Sequence, residues 1–185
     1  MLTPCSCASR ASDRLIQGHI VLTHKHFDHV LGSSRFAGTA IYGAPEVAEA
    51  MTHAERLRVD ALGYGADAQE VDRAIAALRP PEHRVYATAI DLGHTTARVS
   101  HPRSGHTDHD LIVVVDDERT VVFCGDLVEE SADPAVDDDP DPAAWAITFD
   151  RVLDAPGHDA VFVPGHGAVV DADFVRRQQD WLRRR

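Results

Sequence analysis

Cysteine is scarce, with three in 185 residues. Cys5 and Cys7 have no second Cys/His pair at zinc-finger spacing, and Cys124 stands alone in an apolar stretch, so no disulfide framework is expected. Long apolar runs are missing: none approaches the roughly 18–20 residues of a membrane span. The polar start Met1 to Arg14 has no apolar leader core, which makes the cytoplasm the default location and a membrane partner unexpected. Positive charge is in short supply, with 18 Lys+Arg against 30 Asp+Glu and a formal net charge of −12. A polyanion is repelled by such a chain, so no nucleic-acid partner is expected. The short basic C-terminus, Arg176-Arg177 and Arg183 to Arg185, reads as a solvated helix face and tail. A small-molecule substrate is the expected partner, and the oligomeric state is left open.

What is present suits a folded domain. Hydrophobic residues make up 44% and charged residues 26%, and the length is enough for one domain, 1–185, with an irregular start over 1–14. Asp13 to Gln17 reads as a helix end, broken by Gly18. A strand is expected over Ile20 to Thr23, a short helix over His29 to Phe36, and a strand over Thr39 to Tyr42. Pro45 suits the first turn of a helix running to about Leu57, and a second helix is expected from Asp67 to Leu78, ended by Pro80-Pro81. From Val85 the period shortens. Strands are expected over Val85 to Ile90, Ala97 to Ser100, Leu111 to Val115 and Thr120 to Cys124, with Asp116 to Arg119 as a hairpin turn. After the Asp/Pro-rich loop Asp133 to Pro142, a helix spans Ala143 to Leu153. A buried strand spans Ala160 to Val163, and Asp171 caps a last helix through Trp181. Helices alternating with strands that come as hairpins point to an α+β sheet system flanked by helices.

One stretch organises the rest. His24, His26, Asp28 and His29 fall within six residues, directly after the first strand. Such a crowd of imidazoles and a carboxylate is costly unless solvated or metal-bound. Three later places add Gly-His106, Gly-Asp126 and Gly-His166, each at a strand end where glycine permits a tight turn and close backbone approach. Imidazole and carboxylate suit zinc, with manganese or iron as alternatives. A pair of ions about 3.5–4 Å apart needs a set of roughly this size. The set comprises five histidines and two aspartates: His24, His26, His29, His106, His166, Asp28 and Asp126. Histidine by itself is more often surface or core than ligand. On that ground His19, His53, His83, His94, His101 and His158 carry no role, and His109 at most supports the ligands.

The pattern His24-x-His26-x-Asp28-His29, followed by Gly-His106, Gly-Asp126 and Gly-His166, resembles the metallo-β-lactamase superfamily. The resemblance implies an αββα sandwich with two metal ions, zinc by default, at one edge between the sheets. It implies that His24, His26 and His106 hold the first ion, that Asp28, His29 and His166 hold the second, and that Asp126 bridges them. A hydrolase is implied, one that uses a metal-bridging hydroxide on a small carbonyl ester, thioester, lactone or amide, with Asp28 as the catalytic proton acceptor. Alternatives within the resemblance are an iron persulfide dioxygenase-like or flavodiiron-like protein, or a non-catalytic metal-binding remnant.

The chain departs from the family pattern in two ways. Only 23 residues precede His24, where the family usually has several strands and an Asp-x-Gly. An N-terminally shortened version is therefore expected, with part of the first sheet missing and marginal stability. True β-lactam hydrolases often place Cys where Asp126 stands and Lys three residues on. Here that position is Glu129, which repels an anion, so good β-lactamase activity is not expected. Asp126 instead resembles the branch that includes glyoxalase II and lactonases.

Overall fold

The computed structural model describes residues 18–36, 38–136, 141–155 and 160–185. The expectations for an irregular start and for a helix end over Asp13 to Gln17 lie outside these residues. Strand β1 (His19–Leu22), helix α1 (Phe27–Val30) and a 3-10 turn (Leu31–Arg35) come first, followed by β2 (Ala40–Gly43). Helices α2 (Pro45–Thr52), α3 (Ala54–Gly63) and α4 (Ala68–Ala76) lead to β3 (His83–Arg84). Strands β4 (Ala87–Asp91), β5 (Thr96–Ser100), β6 (Ile112–Val115) and β7 (Val121–Glu129) precede α5 (Pro142–Asp154), β8 (Val161–His166) and α6 (Ala172–Leu182). Among the described residues the first sheet has three parallel strands, β1-β2-β3, and the second has five, β4-β5-β6-β7-β8.

The two sheets stack with helices outside, giving the αββα layering. Alternation along β6 sends Val113 into a core with Leu22, Ile41, Val47 and Leu57. The same alternation sends Ile112 and Val114 to the opposite face, against Trp145, Phe149 and Val175 of α5 and α6. Burying these apolar faces is the main stabilising term, at about 25 cal/mol per Å² removed from water.

Beyond shifts of a residue or two, four boundaries differ from the sequence expectation. The short helix expected over His29 to Phe36 starts at Phe27 and passes at Leu31 into the 3-10 turn. The helix expected from Pro45 to Leu57 breaks at His53. Thr52 Oγ1 donates to Glu49 O (2.6 Å) and His53 N donates to Ala50 O, which replaces the regular helical bond at this turn. The strand expected from Val85 to Ile90 divides between the sheets. Val85 N bonds Gly43 O in the first sheet, whereas Tyr86 O accepts from His101 N in the second. Strand β7 continues past Cys124 to Glu129 because Gly125 (φ +54°) is a bulge residue rather than a turn, and the buried Leu127 and Val128 carry the strand on.

Candidate metal centre

Sheet ends and the loops that leave them deliver all seven candidate ligands to one edge of the sandwich. His24, His26, Asp28 and His29 follow β1 and run into α1. His106 lies in the loop before β6, Asp126 within the β7 bulge, and His166 ends β8. The bulge sets the aim of Asp126: Gly125 faces Pro164 while Glu129 faces His166, so β7 fits four steps against two of β8. The His106 loop is fixed from below. Thr148 Oγ1 donates to Ser104 O (2.6 Å), and the Asp110 carboxylate accepts from Thr107 N (2.7 Å) and Thr107 Oγ1 (2.8 Å).

The ligand atoms fall into two groups, within each of which they lie no more than 4.8 Å apart: His24, His26, His106 and Asp126, and then Asp28, His29 and His166. His26 Nδ1 and His106 Nε2 approach to 2.9 Å. Asp126 Oδ2 is 3.6 Å from both His24 Nε2 and His106 Nε2. Its other oxygen, Oδ1, is 3.0 Å from His29 Nε2 and 3.6 Å from His166 Nε2. Asp28 Oδ2 is 3.1 Å from His166 Nε2 and 3.4 Å from His29 Nε2. The first group is the deeper, with His24 at 0% exposure, whereas the His166 side chain is 43% exposed.

The electrostatics suit cation binding. His24 Nε2, His29 Nε2 and Asp126 Oδ1 are buried without a hydrogen-bond partner, and the 3.0 Å approach of the last two lacks hydrogen-bond alignment. Orphaned buried polar atoms that converge on one point are what a metal ion satisfies. Burial, and then the neighbouring imidazoles, hold His24 well below the ordinary imidazole pKa. Burial also brings His106 down to about 4. Burial opposes ionisation of Asp126, but His29, His106 and His166 keep it below the usual carboxylate range. Burial lowers His29, yet the Asp126 and Asp28 carboxylates prevail and raise it. Neutral imidazoles around an ionised carboxylate are the ligand-competent forms.

A cleft of about 490 Å³ opens over the cluster. Phe27 and Tyr64, with ring centroids 5.5 Å apart, share its lining with Arg56, Asp60, Glu129 and Asp133. Glu129 is held by Ser131 N (2.8 Å) and Ser131 Oγ (2.7 Å), both donating to its Oε1. His109 stands apart from both ligand groups: it is fully buried, with Nδ1 2.6 Å from Asp108 Oδ1. Of the histidines given no role, His101 bonds Asp110 O through Nδ1 (2.8 Å) and His83 stacks on Tyr42, while His158 lies outside the described residues. Sequence reasoning passed over Thr23 and Asp110. Thr23 Oγ1 lies 3.1 Å from His24 Nδ1. A hydroxyl directly before the first ligand and a carboxylate between apolar residues were the available signals.

Fold and site together define a class: an αββα protein with a histidine- and aspartate-rich cluster, able to hold metal ions, at the edge where its two sheets meet. The chain belongs to the metallo-beta-lactamase superfamily, whose family model matches residues 18–166. Solved structures share the fold. A metallo-beta-lactamase from Pontibacter korlensis is 19% identical, with a TM-score of 0.66 over 91% of this chain and 70% of its own. The FIM-1 metallo-beta-lactamase of Pseudomonas aeruginosa, in its mono-zinc form, is 20% identical, with a TM-score of 0.62 over 90% of this chain and 66% of its own. A metallo beta lactamase from Hirschia baltica is 13% identical, with a TM-score of 0.61 over 89% of this chain and 68% of its own. The chain thus spans about two thirds of the length of these structures. No curated protein matches it significantly. Among the described residues no helix is long and apolar enough to cross a membrane.

Proposed function

We propose that the protein is a hydrolase of small carbonyl esters, thioesters, lactones or amides that works with two divalent ions, zinc by default. The observation that supports it best is the placement of Asp126, whose two oxygens face two different ligand groups. His24, His26 and His106 would hold one ion, Asp28, His29 and His166 the other, and Asp126 would bridge them. Bound there, the ions supply an ionised water near neutral pH and polarise the scissile carbonyl.

The chain's own residues supply the rest. Asp28 meets the second group through Oδ2 and is one-third exposed to the cleft, so Oδ1 is the atom that takes the proton from the attacking water. The Phe27 and Tyr64 rings give the cleft an apolar wall for the acyl or leaving group. Glu129, pinned by Ser131, puts a carboxylate where an anionic substrate would approach, which disfavours β-lactams. Family members are mostly hydrolases, which favours this chemistry over an oxidative one.

Metal content by elemental analysis, together with turnover of an ester, lactone and thioester panel, tests the proposal. About two zinc per chain and turnover that is lost in Asp126→Ala are expected. Iron with oxygen consumption, or full metal loading with no turnover of any carbonyl substrate, would sink it.

A further inference from the structure

We infer that Thr23 and Glu130 are the positioning residues of the two ligand groups, Thr23 for His24 and Glu130 for His166, and that they act separately. The inference rests on the metal-binding part of the proposed function, not on the reaction.

Thr23 is fixed from three sides. Its carbonyl accepts from Leu111 N (2.9 Å), tying the end of β1 to the start of β6 across the two sheets. Its Oγ1 lies 3.1 Å from His24 Nδ1. Gly125, at φ +54°, leaves room for it: a Cβ there would stand 2.7 Å from Thr23 Oγ1. His24 is fully buried, so its ring has no water to turn towards. Each neutral imidazole has one N–H and one lone pair. When Nδ1–H donates to Thr23 Oγ1, the lone pair sits on Nε2, the orphaned atom facing Asp126. The opposite tautomer would aim a hydrogen into the cluster. The hydroxyl supports the tautomer that can bind a cation by accepting the Nδ1–H, while a cation on Nε2 leaves Nδ1–H as the donor of the pair.

His166 has the opposite problem. Its side chain is 43% exposed, so packing does little to hold it. The restraint comes through the backbone on both sides of the residue. Glu130 N donates to His166 O (3.1 Å), and Ala168 N donates to Glu130 Oε2 (2.8 Å). Between these two bonds lies Gly167 at φ +96°, where a Cβ would collide with the Glu130 carboxylate. Glu130 thus clamps the turn that carries His166. Neighbouring Glu129 lines the cleft instead. Thr23 bonds the His24 ring and Glu130 bonds the chain around His166; Asp126 is what the two groups share.

The test is a competitive zinc titration against a chromophoric chelator, run on the wild-type chain, Thr23→Val, Thr23→Ser, Glu130→Ala and Glu130→Gln. Thr23→Val keeps the shape and removes the hydroxyl, and Glu130→Gln keeps an acceptor for Ala168 N. Thr23→Val is expected to weaken one zinc equivalent about tenfold and Glu130→Ala the other by a similar factor. Thr23→Ser and Glu130→Gln should stay near wild type, and metal-free melting of every variant, recorded alongside, should show each chain folded at the titration temperature. In a His166→Ala background, Thr23→Val should still weaken the remaining equivalent and Glu130→Ala should not. If neither Thr23→Val nor Glu130→Ala moves its equivalent, or if the conservative variants lose as much, the inference is overturned while the metal reading stands. A wild-type chain that takes up no zinc overturns both. Zinc uptake with the expected variant effects but no turnover overturns only the hydrolase.

Discussion

Gly165 and Asp126 compete for the same space: a Cβ built on Gly165 would collide with Asp126 Oδ1 and stand 3.0 Å from the Asp126 backbone nitrogen. Gly165 is not required for a left-handed turn, since its φ is not positive. It is required so that the shared carboxylate can lie flat against β8. Gly165→Ala should therefore push Asp126 out of the cluster. Both zinc equivalents are expected to weaken at least about tenfold, the scale of disturbed ligand support, and turnover should fall towards background. Gly63→Ala is the control, because nothing lies within 4 Å of a Cβ there. Equal zinc affinity of Gly165→Ala and wild type by competitive titration would refute the steric account.

Asp110 makes stability depend on pH. Burial raises its pKa to about 7, although Thr107 N and Thr107 Oγ1 both favour the ionised form. A carboxyl with a raised native pKa holds its proton in the fold while the unfolded chain has already lost it. Its contribution is thus fully present below about pH 4 and declines as pH rises towards 7. In Asp110→Asn the side-chain amide could still accept from Thr107 N and donate to Thr107 Oγ1 without carrying charge. The stability of Asp110→Asn relative to wild type should climb between pH 4 and 7 and then level off. Asp110→Ala, which orphans two buried donors, should cost roughly 1–3 kcal/mol. Urea denaturation of the metal-free chain across that range measures both, and parallel curves for Asp110→Asn and wild type would rule the idea out.

Glu129 adds a carboxylate to a cleft also lined by Asp28, Asp60 and Asp133. Replacing it by lysine removes a pinned carboxylate and adds a cation within the same 490 Å³. Glu129→Lys should raise kcat/KM for a carboxylate-bearing ester relative to its neutral analogue by about tenfold, equivalent to ~1.4 kcal/mol of altered electrostatics. Steady-state assays of the matched pair decide it. An unchanged ratio would mean that Glu129 does not face the bound substrate.

Most of the site was legible because it is written in residue types that need partners. The run from His24 to His29, and each Gly-His or Gly-Asp at a strand end, marked candidate ligands before any geometry was known, and the fold gathers these residues into two groups that could hold a metal ion. What could not be read was set by long-range packing. Nothing local says that Gly125 continues β7 as a bulge, because the pairing of Glu129 with His166 decides it. Nothing local divides Val85 from Tyr86 between sheets. Thr23 was passed over because a threonine at a strand end is ordinary, and only its 3.1 Å approach to His24 gives it a part.

Trp145 links the core to the candidate metal centre. It is fully buried, its ring centroid lies 5.6 Å from that of His106, and its Nε1 donates to Leu127 O (3.2 Å). Gly105, beside His106, fits only because it lacks a Cβ, which would collide with Leu127 and stand 3.1 Å from the Trp145 ring. Trp145→Ala should cost about 3–5 kcal/mol through the cavity it leaves. Trp145→Phe should cost less, roughly 1–2 kcal/mol, because Leu127 O keeps a second donor in Gln178 Nε2 (3.1 Å) and is not orphaned. The two losses also differ in where they fall. The phenylalanine variant keeps an aromatic wall near His106 and should retain both zinc equivalents, whereas the alanine variant frees the His106 loop and should weaken the equivalent held with His24 and His26. Denaturation and zinc titration on the same samples separate the effects. If Trp145→Ala loses stability but binds zinc as wild type does, the His106 loop is held by Asp110 and Thr148 alone, and the tryptophan serves only the core.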